Sequence, residues 1–158
     1  MSEAKPEAPA KQVALQKIYL KDTSLEVPNA PAIFTQEWKP RVDVQINTAV
    51  QDLSAETHHV VLTVSVKAQL GEQTAYLVEV QQGGVFLLRG FGNNDEKRAV
   101  LGAYCPNVLF PFAREAIADL VRRGGFPEFL LQPVNFDALY QQHLAQTRAA
   151  AAAPATKH

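Results

Sequence analysis

Two adjacent histidines, His58 and His59, and a single cysteine, Cys105, are the side chains best suited to metal binding or nucleophilic chemistry. A metal needs several ligands converging on one point. Neighbouring residues in a strand point to opposite faces, so two histidines in that setting diverge. Cys105 is followed by Pro106, and nothing nearby in the sequence supplies a general base or lowers the thiol pKa. A small, buried, apolar cysteine is the simpler reading. The glycines of Gln81-Gln82-Gly83-Gly84 and Arg89-Gly90-Phe91-Gly92 match neither the dinucleotide fingerprint nor a phosphate loop ending in Gly-Lys-Ser/Thr. Gly83-Gly84 reads instead as a bend or a close backbone approach in a strand. No catalytic residue, metal ligand or cofactor is expected, and the chain is read as non-enzymatic.

What remains are residues suited to binding. Asp22, Ser24 and Glu26 alternate in a way that puts them on one strand face, as do Leu77 and Glu79. Together they could form an acidic patch with an apolar centre, fitting a basic peptide or domain, although solvated strand faces carry the same pattern. Phe34 and Trp38 lie in a proline-rich crossing, and Phe136, Leu139 and Tyr140 form a stripe at helical spacing. These five could line a groove with Val42, Val44 and Ile46 as its floor; plain core packing is the alternative.

The elements that must position these residues are strands first and helices afterwards. Val60, Leu62, Val64, Val66, Ala68 and Leu70 alternate with polar residues as in a half-buried strand. Val42, Val44 and Ile46 mark a second, and Tyr76, Val78 and Val80 a third, joined to Leu70 by the turn-like Gly71-Glu72-Gln73. A further strand covers Val13 to Val27. Pro28, Pro31 and Pro40 cannot donate ladder hydrogen bonds, so 28–40 crosses between strands as a long exposed connection. Leu109, Phe112, Ala113, Ala116, Ile117 and Leu120 then recur at helical spacing, with Pro111 in a first turn and Arg122-Arg123-Gly124-Gly125 as the closing signal. Asn135 can cap a second helix carrying Phe136, Leu139, Tyr140, His143 and Leu144. The fold class is α+β, a four-stranded antiparallel sheet packed against C-terminal helices.

Composition narrows the function classes. With 158 residues the chain fits one domain, over 12–148, between low-complexity tails at 1–11 and 149–158. Fifteen Lys+Arg against 16 Asp+Glu leave no broad field to attract nucleic acid or an anionic bilayer. No stretch of about 18 apolar residues occurs, so no membrane insertion is expected. The single cysteine and the polar opening Met1-Ser2-Glu3-Ala4-Lys5 lead us to expect a cytoplasmic protein.

Four long stretches carry a family resemblance: IYLKDTSLEVPNAP at 18–31, TAYLVEVQQGGVF at 74–86, LGAYCPNVLFPFARE at 101–115 and RGGFPEFLLQPVNFDALY at 123–140. In this order they resemble the SecB family of export chaperones. The resemblance implies an ATP-independent holdase that keeps secretory precursors unfolded and delivers them to the motor ATPase SecA. It implies a homotetramer built as a dimer of dimers. It also implies that Asp22, Glu26, Leu77 and Glu79 dock the zinc-containing tail of SecA, the zinc being the partner's. Val78, Val80, Gln82 and the helix around Leu109, Ile117 and Val121 become oligomer contacts by the same resemblance, with interior packing as the alternative. An antitoxin is a second class of client for such a fold, but the intact set of four docking residues favours export. A small-ligand carrier or enzyme would need a closed cavity with converging polar groups, and none is legible. The tail after Arg148 is rich in alanine where many relatives are acidic, so an additional SecA contact there has no support.

Overall fold

A computed structural model describes residues 10–152. The element order is β1 (Gln12–Glu26), a short 3-10 turn (Ala32–Thr35), β2 (Arg41–Asp52), β3 (Thr57–Leu70), β4 (Gln73–Arg89), α1 (Asn94–Ala99), a π-helical stretch (Val100–Tyr104), α2 (Cys105–Arg123) and α3 (Phe136–Ala152). The strands form one antiparallel sheet in the order β1-β4-β3-β2, leaving β1 and β2 as edges. The fold is thus α+β, as the strand-then-helix order of the sequence predicts.

One face of the sheet holds the core. Val60, Leu62, Val64, Val66, Ala68 and Leu70 of β3 and Tyr76, Val78 and Val80 of β4 are buried beneath α2, matching the period-two pattern. Leu109, Ala113, Ile117 and Val121 are the buried residues of α2 that close this layer. Full burial of a leucine or isoleucine contributes about 1.5–3 kcal/mol, so this face dominates the stability of the fold. The β3–β4 hairpin turns through Gly71-Glu72, with Gly71 at φ +60°, and Gln73 already belongs to β4.

The helical region departs from the sequence reading at several points. Helix begins at Asn94, where Asn93 accepts a hydrogen bond from the Asp95 amide at 2.8 Å, and runs almost unbroken to Arg123. Pro111 is therefore interior rather than in a first turn. Gly102 and Pro106 masked the earlier start, because both residues lower helix propensity. Phe112 does not join the buried stripe; it is 45 % exposed on the outward side of α2. The closing signal forms as read. The Gly125 amide donates to the Arg122 carbonyl and the Phe126 amide to the Val121 carbonyl, with Gly125 at φ +90°, which is a Schellman cap.

Asn135 Oδ1 accepts from the Ala138 amide at 3.0 Å and caps α3. That helix continues through Ala152, four residues into the stretch read as a tail, because alanine has the highest helix propensity. Residues 1–9 and 153–158, which include most of both predicted tails, lie outside the described residues.

Candidate functional site

The parity of β1 is set by an irregularity. Before it, Ile18 and Leu20 pair with Gly84 and Gln82 and face the helices; a register shift between Leu20 and Asp22 then inverts the faces. Asp22, Ser24 and Glu26 consequently oppose Gln81, Glu79 and Leu77 on the open side of the sheet. A bulge adds one residue to one strand, which is enough to turn a whole segment over. Asp22, Glu26, Leu77 and Glu79 are thus brought onto one face, with three carboxylates around one leucine. Glu79 accepts a hydrogen bond from Ser65 Oγ at 3.0 Å, which orients its carboxylate across β3. Lys67, paired with Leu77, supplies a cation at the border of the patch.

The open face also separates the histidines. His59 lies there and Tyr19 reaches it, with 2.5 Å between the Tyr19 hydroxyl and His59 Nε2. His58 points into the core and bonds to Asp52 at 2.6 Å through Nδ1. Among the described residues no three His, Cys, Asp or Glu side chains converge to hold a metal. Cys105 is fully buried, and burial pushes its thiol up to about 12. A thiol so far above neutral pH holds almost no thiolate.

Apolar surface gathers around the other edge of the sheet. Phe34, Trp38, Tyr76 and Phe126 form an aromatic cluster, with centroids 5.2 Å apart for Phe34–Phe126 and Trp38–Phe126 and 5.0 Å for Tyr76–Phe126. The crossing that supplies Phe34 and Trp38 is anchored by buried Ile33 and by Asn29 Nδ2, which donates to the Thr74 carbonyl at 2.9 Å. Phe34 remains 48 % exposed. The Schellman cap at Gly125 delivers Phe126 to the same cluster.

A second apolar region lies between α3 and β2, a cavity of about 540 Å³ whose lining includes Ile46, Val50, Leu101, Phe136, Leu139 and Tyr140. Phe136 is buried and packs edge-on against Phe110 at 5.6 Å, while Leu139 stays 42 % exposed. The predicted groove residues are therefore divided. Ile46, Phe136, Leu139 and Tyr140 meet at the cavity, whereas Phe34 and Trp38 belong to the aromatic cluster. Val42, Val44, Ile46, Thr48 and Val50 share the helix side of β2 and link the two regions, because Val42 pairs with Ala68, which in turn pairs with Tyr76. From Val42 to Val50 this stripe spans about 27 Å at the usual strand rise.

Sequence reasoning missed Tyr76, Phe126, Val50 and Leu101. Val50 was available as the next apolar member of the alternation beyond Ile46. Phe126 was available as the apolar residue that follows a Schellman glycine.

The residues read as oligomer contacts have a different environment. Val78, Val80, Leu109, Ile117 and Val121 are 0–2 % exposed within the single chain, which is the interior-packing alternative. Gln82 is also buried, and its Nε2 donates to the Tyr19 carbonyl at 2.9 Å beside the β1 register shift. The five apolar residues can act on assembly only through the elements they hold, whereas Gln82 lines a cavity at the surface. The exposed apolar side chains of that region are Leu20 and Phe112, beside a cavity of about 510 Å³ between β1 and α2.

Known proteins match this arrangement. The family model described as preprotein translocase subunit SecB matches residues 6–147. The protein-export protein SecB of Nitrosococcus oceani is 55 % identical over 144 residues, covering 90 % of this chain and 87 % of the relative. The protein of the same name from Methylococcus capsulatus is 50 % identical over 150 residues, covering 95 % and 96 %. Among solved structures, the Mycobacterium tuberculosis Rv1957 SecB-like chaperone, in complex with a peptide from the HigA1 antitoxin, superposes with a TM-score of 0.64. That match covers 77 % of this chain and 90 % of the other at 21 % identity, and it speaks for the fold alone. With a four-stranded sheet, a matched family model over most of the sequence and relatives at half identity or better, this chain belongs to the SecB family of protein-export proteins.

Proposed function

We propose that the chain is an ATP-independent holdase of protein export, which binds unfolded secretory precursors along the β2–α3 side and passes them to SecA through the opposite, acidic face of the sheet. The observation that carries this reading is the apolar stripe of β2, which runs from the aromatic cluster to the α3 cavity while Val44, Val50 and Leu139 remain more than 40 % exposed. Continuous exposed apolar surface marks an interaction site. A site that accepts many sequences needs extended adaptable surface more than convergent polar groups. β2 is also an edge strand, so its outer backbone groups can pair with an extended client segment.

Burial of a flexible client on this surface gains about 25 cal/mol per Å² of apolar area, offset by the ordering of the client. Affinity then depends on how unfolded the client is more than on its sequence. Release follows from transfer, and the Asp22, Glu26, Leu77 and Glu79 patch is the site proposed for the zinc-containing SecA tail. Because patch and stripe lie on opposite faces, SecA can dock while a client stays bound. Assembly into a homotetramer, a dimer of dimers, is proposed through the outward side of α2 and the adjoining β1, where Phe112 and Leu20 are exposed. A cytoplasmic location accords with this role, and no helix among the described residues is long and apolar enough to cross a membrane.

The test is a pair of charge insertions, Val44→Asp and Leu139→Asp. Each should sharply reduce co-elution of an unfolded precursor during size-exclusion chromatography while circular dichroism stays unchanged. Undiminished co-elution with both variants would move the client site elsewhere.

A further inference from the structure

Tyr140 of α3 rests against Gly102 in the π-helical stretch, so closely that a Cβ on Gly102 would lie 2.5 Å from ring atom Cδ2 and 2.7 Å from Cε2. Carbon atoms in contact settle at about 3.5–4.0 Å, so one added methyl group demands that the ring withdraw by roughly 1 Å or more. The other anchor of this helix is Phe136, packed edge-on against Phe110 of α2. Phe136 is its one buried residue, and its contacts with the rest of the fold converge on Val100–Tyr104. The same helix forms one wall of the cavity whose other wall is β2. Glycine is otherwise unfavourable inside a helix, and an interruption of this kind is often found at functional sites.

We infer that Gly102 is a specificity-determining residue: by letting the Tyr140 ring seat directly on the long helix, it sets the width of the groove between α3 and β2 and so decides how bulky a client segment fits. The inference rests on the reading of that groove as the client site. Tyr140 is a rigid plate near the start of α3, so a ring pushed outward carries the helix with it or leaves its seat. Either result widens the groove. In Gly102→Ala, preference shifts severalfold toward aromatic-rich unfolded segments over otherwise matched segments carrying small aliphatic residues.

The experiment measures the groove without any client. Spin labels at Gln51→Cys and Ala149→Cys, in a Cys105→Ala background and diluted into unlabelled chains before assembly, report the separation of β2 and α3 by pulsed electron resonance. Gly102→Ala should lengthen that distance, Tyr140→Phe should leave it unchanged, and adding Tyr140→Ala to Gly102→Ala should reverse the lengthening. An unchanged distance in folded Gly102→Ala, or a displacement that persists in the double variant, overturns the inference. If Gly102→Ala does not fold, Tyr140→Trp enlarges the ring against the same seat and must displace α3 in the same direction; no displacement there also overturns it. Client preference is then read with two unfolded peptides, one aromatic-rich and one aliphatic, and an unshifted preference in a widened groove likewise counts against it. If the unmodified chain captured neither peptide, the proposed function would fail, while the distances would still decide whether Gly102 gauges the groove.

Discussion

The ring of Tyr19 lies across the bare backbone of Gly83: a Cβ on that glycine would stand 2.5 Å from two of the ring carbons. The contact lets Tyr19, on edge strand β1, reach over β4 to His59 on β3. Gly84 does the same on the other face, where a Cβ would meet Leu109 of α2 at 2.8 Å. The glycine pair thus allows a tyrosine to lie close to one side of the sheet and a helix to the other, with no register shift between β3 and β4 at this point.

Gly83→Ala should therefore destabilise the fold by about 1–3 kcal/mol, the usual cost of forcing extra volume into a packed site. Urea denaturation measures it. A Tyr19→Ala change in the same background should recover part of the loss, and equal stability of Gly83→Ala and the unmodified chain would show that the ring moves aside freely.

Separation of the two faces predicts separable activities. Asp22→Lys combined with Glu79→Lys should weaken binding of the SecA tail about a hundredfold or more, since juxtaposed like charges cost several kcal/mol. Capture of a reduced, unfolded precursor should be unaffected. Equal loss of both activities would mean that tail and client share one surface.

Trp38 is half-buried between Tyr76 and Phe126, at the end of the β2 stripe. A client that occupies the stripe should alter the environment of the only tryptophan in the chain. Its emission should shift on titration with unfolded precursor and saturate at the binding stoichiometry. No change at saturating client would place the aromatic cluster outside the site.

The core predicts an alkaline limit. Burial pushes both the Cys105 thiol and the Tyr76 phenol up to about 12. In the unfolded chain these groups ionise near their ordinary values of about 8.5 and 10. Above those values the unfolded state has released protons that the folded state retains, so stability is full below about pH 8.5 and falls as pH rises toward 12. Each group contributes a slope of about 1.4 kcal/mol per pH unit once its unfolded form is ionised. Cys105→Ala should flatten the loss between pH 9 and pH 10 in urea denaturation. Identical slopes for both chains would show that the thiol ionises as easily when folded.

The sheet and its polarity were legible because a strand with one buried face writes its register in period two: the alternation from Val60 to Leu70 needs only local residues to be read. Parity within two short segments also made legible that Asp22 and Glu26 share one face of β1 and that Leu77 and Glu79 share one face of β4. The register shift beside Asp22 that turns this part of β1 over was not, because a bulge leaves no fixed signature in sequence. The early start of the long helix was not legible: Pro111 reads as a first-turn residue, and the low propensities of Gly102 and Pro106 are overridden by tertiary packing. Division of the groove into an aromatic cluster and an α3 cavity depends on where α3 docks, which is a long-range contact. Burial of Val78, Val80, Leu109, Ile117 and Val121 within one chain likewise follows from the packing of α2 on the sheet, which periodicity alone does not locate.

The most direct test of passive capture is the refolding of a diluted, reduced secretory precursor, followed by its intrinsic fluorescence with and without this chain. Passive capture should produce a delay that grows with chaperone concentration up to a fixed stoichiometry, needs no nucleotide and is lost in Val44→Asp. A refolding rate unchanged by excess folded chaperone, with no complex recovered, would contradict it.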